Sequence, residues 1–167
     1  MITRAELELH RIEVTKTYAS GDLNFQGAEF QQSGPLQVNA VAELVGTEIR
    51  IRGHLKTHLS ACCDRCLVPV EFPVERDFEL FYRSMENIAR EEEIEVPKDE
   101  LGVGFFSGEG IELAEVVTEQ VILSVPMKKV CRDECRGLCP VCGVDRNREE
   151  CQCAPPPQQE SPFSRLK

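Results

Sequence analysis

Six of the chain's nine cysteines fall between positions 131 and 153, as Cys131, Cys135, Cys139, Cys142, Cys151 and Cys153. Thiols at that density either ligate a metal, cross-link or react, so they constrain the fold before anything else does. The middle of the run reads Cys139-Pro140-Val141-Cys142-Gly143. Pro140 pre-sets one backbone angle and Gly143 permits a positive φ directly after the second sulfur, which is the turn of a zinc knuckle. Cys151 and Cys153 point the same way if their segment is extended. Cys139, Cys142, Cys151 and Cys153 therefore read as one tetrahedral metal site.

Disulfides, an iron–sulfur cluster and zinc compete for these sulfurs. The stretch from Met1 to Val14 alternates charged and aliphatic residues, with neither the apolar core of a secretory signal nor an Arg-rich transit character, which predicts a cytoplasmic protein. Reducing surroundings and an odd number of cysteines disfavour a disulfide framework. The Cys-x2-Cys then Cys-x-Cys spacing differs from the common ferredoxin runs. Zinc is the expected cofactor.

With 167 residues the chain holds one ordinary core plus a small metal-stapled module. The boundaries expected are a β-rich core with a closing helix over 1–125, a zinc-binding cysteine module over 126–153 and a disordered tail over 154–167. Between Met85 and Glu119 eleven acidic residues face only Arg90 and Lys98, so this stretch carries −9 of the net −10. The cysteine module instead brings Lys128, Lys129, Arg132, Arg136, Arg146 and Arg148 against five acids, a mild bias toward phosphate contact. No apolar run approaches the roughly 20 residues of a membrane helix.

Along the chain, Leu7 and Leu9 followed by Ile12 and Val14 suggest a strand that slips phase at a bulge near His10 or Arg11, and residues 15 to 35 read as loop or short irregular strands. Leu36, Val38, Ala40, Ala42 and Leu44 alternate; after Gly46-Thr47, Ile49, Ile51, Leu55, Leu59 and Ala61 alternate in the other phase. A two-residue turn pairing Val45 with Glu48 puts both sets on one face. Val68, Val70, Phe72, Val74, Phe78, Leu80 and Tyr82 start a third strand. Cys63 opposite Val68 would set Lys56, His54 and Arg52 against Glu75, Asp77 and Glu79, joining opposite charges. The class expected is thus α+β: an antiparallel β-meander packed by one or two helices, plus the cysteine module. Met85, Ile88 and Ala89 have helical spacing beside a solvated acidic run. A further helix carries the stripe Leu113, Val117, Val121 and Val125, with Glu112, Glu115 and Glu119 outward and Pro126 at its end.

This hairpin places Cys63 and Cys66 at its tip, and Cys131 and Cys135 share one face of a helical turn. A second site of Cys63, Cys66, Cys131 and Cys135 would clip the sheet to the cysteine module; the bland reading is two reduced, partly buried thiols. Cys62 faces away as a spare thiol. His10, His54 and His58 lack a recognisable nucleophile or phosphate loop beside them, so no enzyme is expected. Oxidation that ejects metal would make the chain a thiol-based redox or zinc-responsive regulator instead.

The tip Cys63-Asp-Arg-Cys66-Leu67, the segment Ile111-Glu-Leu113 through Leu123-Ser-Val-Pro126, the run Cys131-x3-Cys135-Arg-Gly-Leu-Cys139-Pro-Val-Cys142-Gly143, then Asn147 and Cys151-Gln-Cys153, together resemble the YceD family, the large ribosomal RNA subunit accumulation proteins. The resemblance runs from about Leu36 to the end, where Pro162-Phe163 and Leu166 match the family's ending. It implies a bacterial cytoplasmic factor in ribosome biogenesis that acts without a known catalytic step, with large-subunit ribosomal RNA or a ribosomal protein as partner. It singles out all the cysteines except Cys62 and supplies neither an oligomeric state nor a metal identity.

Overall fold

The computed structural model describes residues 1–25, 27–85 and 102–154. It forms two compact units, one of residues 1–60 and 71–126, the other of 61–70 and 127–167. The hairpin tip thus belongs with the cysteine run.

In the first unit the meander is built of β4 (Leu36–Val45), β5 (Glu48–Cys62) and β6 (Pro69–Ser84), the last two continuing into the tip. Val45 pairs with Glu48 across a turn in which Gly46 takes φ 63°, as the Gly-Thr punctuation predicts. Leu36, Val38, Ile49, Ile51, Leu55 and Leu59 are fully buried, each worth about 1.5–3 kcal/mol relative to exposure. On the opposite face His54 Nδ1 lies 2.8 Å from Asp77 Oδ1, and Arg83 Nη2 donates to Glu48 Oε1 at 2.6 Å. Both contacts fit the register that sets Cys63 opposite Val68. Arg52 departs from that scheme by lying 3.7 Å from Glu43, while Arg50 reaches Glu79 at 3.6 Å.

The sheet is wider than the three strands expected. β2 (Ile12–Tyr18) pairs antiparallel with β4, β3 (Phe30–Gln32) pairs with β5, and β7 (Val103–Phe106) runs parallel to β6. A separate two-stranded ribbon joins β1 (Ile2–Thr3) to β8 (Gly110–Ile111).

The phase slip near His10 has another cause than a bulge. Arg4–Leu7 is a single helical turn, α1, capped by Thr3 and Glu6. Thr3 Oγ1 accepts from the Glu6 amide, and the Glu6 carboxylate accepts from the Thr3 amide. This reciprocal box satisfies two amides that a strand would have left to a partner.

Helix α2 (Leu113–Ser124) buries Leu113, Val116, Val117, Gln120 and Val121, a wider stripe than expected, while Val125 lies beyond its end. Val125 is extended (ψ 128°), as a residue before proline prefers. Arg76 interrupts the apolar phase of β6 and donates from Nη1 to the Leu123 carbonyl at 3.1 Å, capping the helix end. The helical spacing near Ile88, the residues 94–101 and the tail from 155 onward lie outside the described residues. Among the described residues no helix is long and apolar enough to cross a membrane.

Candidate metal centres

The second unit contains the same turn twice. In the first, the Cys63 amide donates to the Val68 carbonyl at 2.8 Å, and the Leu67 amide donates back to the Cys63 carbonyl at 2.9 Å. In the second, the Cys139 amide donates to Val144 at 2.8 Å, and the Gly143 amide donates back to Cys139 at 2.9 Å. The residue after each second sulfur is left-handed: Leu67 at φ 61° and Gly143 at φ 74°. Leu67 therefore occupies a position that glycine fills without strain.

The turns bring eight sulfurs into two clusters. Within Cys63, Cys66, Cys131 and Cys135, and within Cys139, Cys142, Cys151 and Cys153, all Sγ atoms lie within 4.8 Å of one another. Cys63 to Cys135 is 3.9 Å and Cys66 to Cys131 is 3.7 Å. A tetrahedron with metal–sulfur bonds of about 2.3 Å has an edge of about 3.8 Å. Each cluster could therefore hold a metal ion, and every cysteine singled out from the sequence is in one of them.

Cys131 and Cys135 approach through a turn in which the Cys135 amide donates to the Arg132 carbonyl at 3.0 Å, tighter than the helical turn expected. Cys63, Cys66, Cys135 and Cys139 are buried; Cys131 and Cys142 are exposed, and Cys62 is exposed and outside both clusters.

The backbone is arranged to hold negative sulfur. The Cys131 amide lies 3.4 Å from Cys63 Sγ. Burial pushes the Cys63 thiol up, but amides of Arg65, Cys131 and Cys66 outweigh it and hold the thiol at about 6. Amides of Cys142 and Val141 bring Cys139 down to about 6. Cys153 and Cys66 move the other way: thiol contacts, Cys142 first, push Cys153 up to about 12, and at Cys66 the Val68 amide is outweighed by burial and neighbouring thiols, which push it up to about 12. Each cluster thus contains a ready thiolate beside thiols that a bound cation must deprotonate.

Two supporting residues have roles that cysteine spacing could not reveal. Arg65 Nη1 donates to the carbonyls of Asp133 (2.9 Å) and Cys135 (2.8 Å), tying the tip to the cysteine run. Asn147 Nδ2 donates to Cys135 Sγ at 3.4 Å and to Asp145 Oδ1 at 2.6 Å, while its Oδ1 accepts from the Arg136 amide at 2.8 Å and from Arg132 Nη2 at 3.0 Å. An amide side chain was needed here because it donates and accepts at once. The basic residues expected to meet phosphate are not equally available: Lys129 is half-buried and pairs with Asp64 (3.4 Å), whereas Lys128, Arg132, Arg136, Arg146 and Arg148 are exposed, Arg148 while 3.6 Å from Asp145.

The chain is 34% identical over 114 residues to an uncharacterized protein of Mycobacterium bovis and, equally, to one of Mycobacterium tuberculosis, over 68% of this chain and 52% of each relative. It thus spans about half the length of these curated relatives. No solved structure matches it. Residues 51–167, well over half of the chain and including both sulfur clusters, match the family model described as large ribosomal RNA subunit accumulation protein YceD. By that match the chain belongs to the YceD family of large ribosomal RNA subunit accumulation proteins.

Proposed function

We propose that the chain is a non-catalytic, cytoplasmic factor that supports large-subunit ribosomal RNA accumulation during ribosome biogenesis, with two zinc ions making its cysteine-rich unit a rigid docking surface. Cys63, Cys66, Cys131 and Cys135 hold one ion; Cys139, Cys142, Cys151 and Cys153 hold the other. The observation that carries this reading is the pair of four-sulfur clusters. Sulfurs this close leave room for a single ion rather than a cluster of irons, and an all-cysteine tetrahedral donor set suits zinc. Filling all four positions with protein ligands makes each site structural, with no open position for chemistry. The ordered unit would then meet large-subunit ribosomal RNA or a ribosomal protein.

Depletion should lower large-subunit RNA and free large subunits. Wild-type protein should restore both, and a protein carrying Cys63→Ser and Cys139→Ser should not. Unchanged RNA and subunit profiles after depletion would contradict the role.

The exposure of Cys131 and Cys142 favours a second reading, a thiol-based redox or zinc-responsive regulator, because an oxidant can reach one corner of each cluster. Zinc release and altered activity at low peroxide would support it; retained zinc would leave the structural role.

A further inference from the structure

The charge of the molecule is divided unequally. The first unit contains twenty-two acidic and ten basic residues, a net −12, and the second is at +2. Two divalent ions held by eight thiolates would take the second unit to −2, so zinc weakens rather than strengthens its attraction for phosphate. A partner of opposite charge is therefore better sought on the first unit.

That unit has a groove of about 490 Å³ between the outer face of α2 and the segment 22–24. Leu23 is buried within it, while Ile122 and Leu123 on the last turn of α2 stay 44% and 58% exposed. Glu115, Glu119 and Asp22 also line the groove, and among the described residues no basic one does. Asp22 is engaged by the Ala19 amide at 2.7 Å; Glu115 and Glu119 form no ion pair among the described residues. Both walls are preformed. The Asp22 amide donates back to the Ala19 carbonyl at 3.1 Å, and Arg76 holds the Leu123 carbonyl. Little ordering free energy would be lost on binding.

We infer that this groove docks a segment of a basic protein, with aliphatic side chains set against Leu23, Ile122 and Leu123 and flanking lysines or arginines against Glu115 and Glu119. Charge complementarity selects the occupant. RNA would bring phosphates to carboxylates, and a two-fold pairing of copies would set Glu115 and Glu119 of each chain against the same residues of the other. The inference rests on the ribosome-biogenesis reading and specifies the partner's chemistry: a large-subunit ribosomal protein.

A photo-crosslinking amino acid at Thr118, in the full chain expressed in place of the native protein, tests this. Crosslinked peptides should belong to one large-subunit ribosomal protein and be rich in lysine or arginine. Glu115→Lys with Glu119→Lys, and separately Ile122→Ser, should each lower the yield at least tenfold while zinc content and helical circular dichroism stay unchanged. These positions are solvent-facing, so a loss of yield with intact fold reports the groove itself. Crosslinks to RNA, to a second copy or to an acidic protein, or a yield indifferent to charge reversal, would overturn the inference. Depletion that still lowers large-subunit RNA alongside such a result would remove the groove partner and leave the biogenesis role. Crosslinks as expected with unchanged RNA on depletion would remove the role instead.

Discussion

Leu67 and Gly143 do the same backbone task with different side chains, so they make a controlled pair. A left-handed residue with a side chain costs roughly 1–2 kcal/mol, against about 0.5–1 kcal/mol that glycine loses through its freer unfolded chain. Leu67 is 60% exposed and forfeits little packing. Leu67→Gly should therefore leave stability unchanged or raise it by about 0.5–1 kcal/mol, and Gly143→Ala should lower it by about 1 kcal/mol, both read by denaturant unfolding of the metal-loaded protein. Asn147 belongs to the same scale. Asn147→Asp retains an acceptor for Arg132 and the Arg136 amide but removes the N–H aimed at Cys135 Sγ, and places a carboxylate against Asp145. Loss of such a supporting contact typically costs about 10–100-fold in metal affinity. Competition with a chromogenic chelator should find this loss confined to one of the two ions.

Among the elements, the long hairpin was legible because alternation, a Gly-Thr turn and opposite charges across β5 and β6 all select one register. The first helical turn is masked in the sequence, although its Thr3-x-x-Glu6 box is written there; four residues are too few for periodicity to outweigh the apparent alternation of Leu7 and Leu9. The strands β2 and β3 were legible only in part: Ile12 and Val14 read as strand, but residues 15–18 alternate weakly, and β3 has three residues and needs a long-range partner. The cysteine clusters were readable as pairs, since each Cys-x2-Cys supplies half a site, but Arg65 and Asn147 depend on distances that no local spacing encodes. Gly53 shows how packing adds to pattern. A Cβ there would stand 2.7 Å from both the Asn39 carbonyl oxygen and the Phe78 ring. Gly53→Ala should cost about 1–3 kcal/mol in thermal or denaturant unfolding. The sheet should also respond to acid through Glu43, whose carboxyl is held below its ordinary value mainly by the hydrogen bond from Arg50. A depressed folded value contributes stability above the usual carboxylate range and loses it as pH falls through the folded value. Glu43→Gln should flatten that part of the pH–stability curve below about pH 4.5, with a smaller difference in high salt.

For the molecule as a whole, two units stabilised by different physics should come apart in different conditions. The first buries a continuous aliphatic sheet face and the α2 stripe, while the second has a small core of Cys63, Cys66 and Cys135 edged by Val68, Val70, Val130 and Leu138. So small a core does not by itself offset the chain entropy of the residues it orders, and on the proposed two-ion reading bound metal would supply the difference. Hydrogen exchange of the full chain, before and after chelation and paired with native mass spectrometry, measures this directly. The loaded protein should have the mass of the chain plus two zinc ions. Removing the ions should end protection at 61–70 and 127–154 and spare β4 and the central part of β5. A purified chain without metal, or a cysteine-rich unit that keeps its protection when the metal is gone, would contradict this reading.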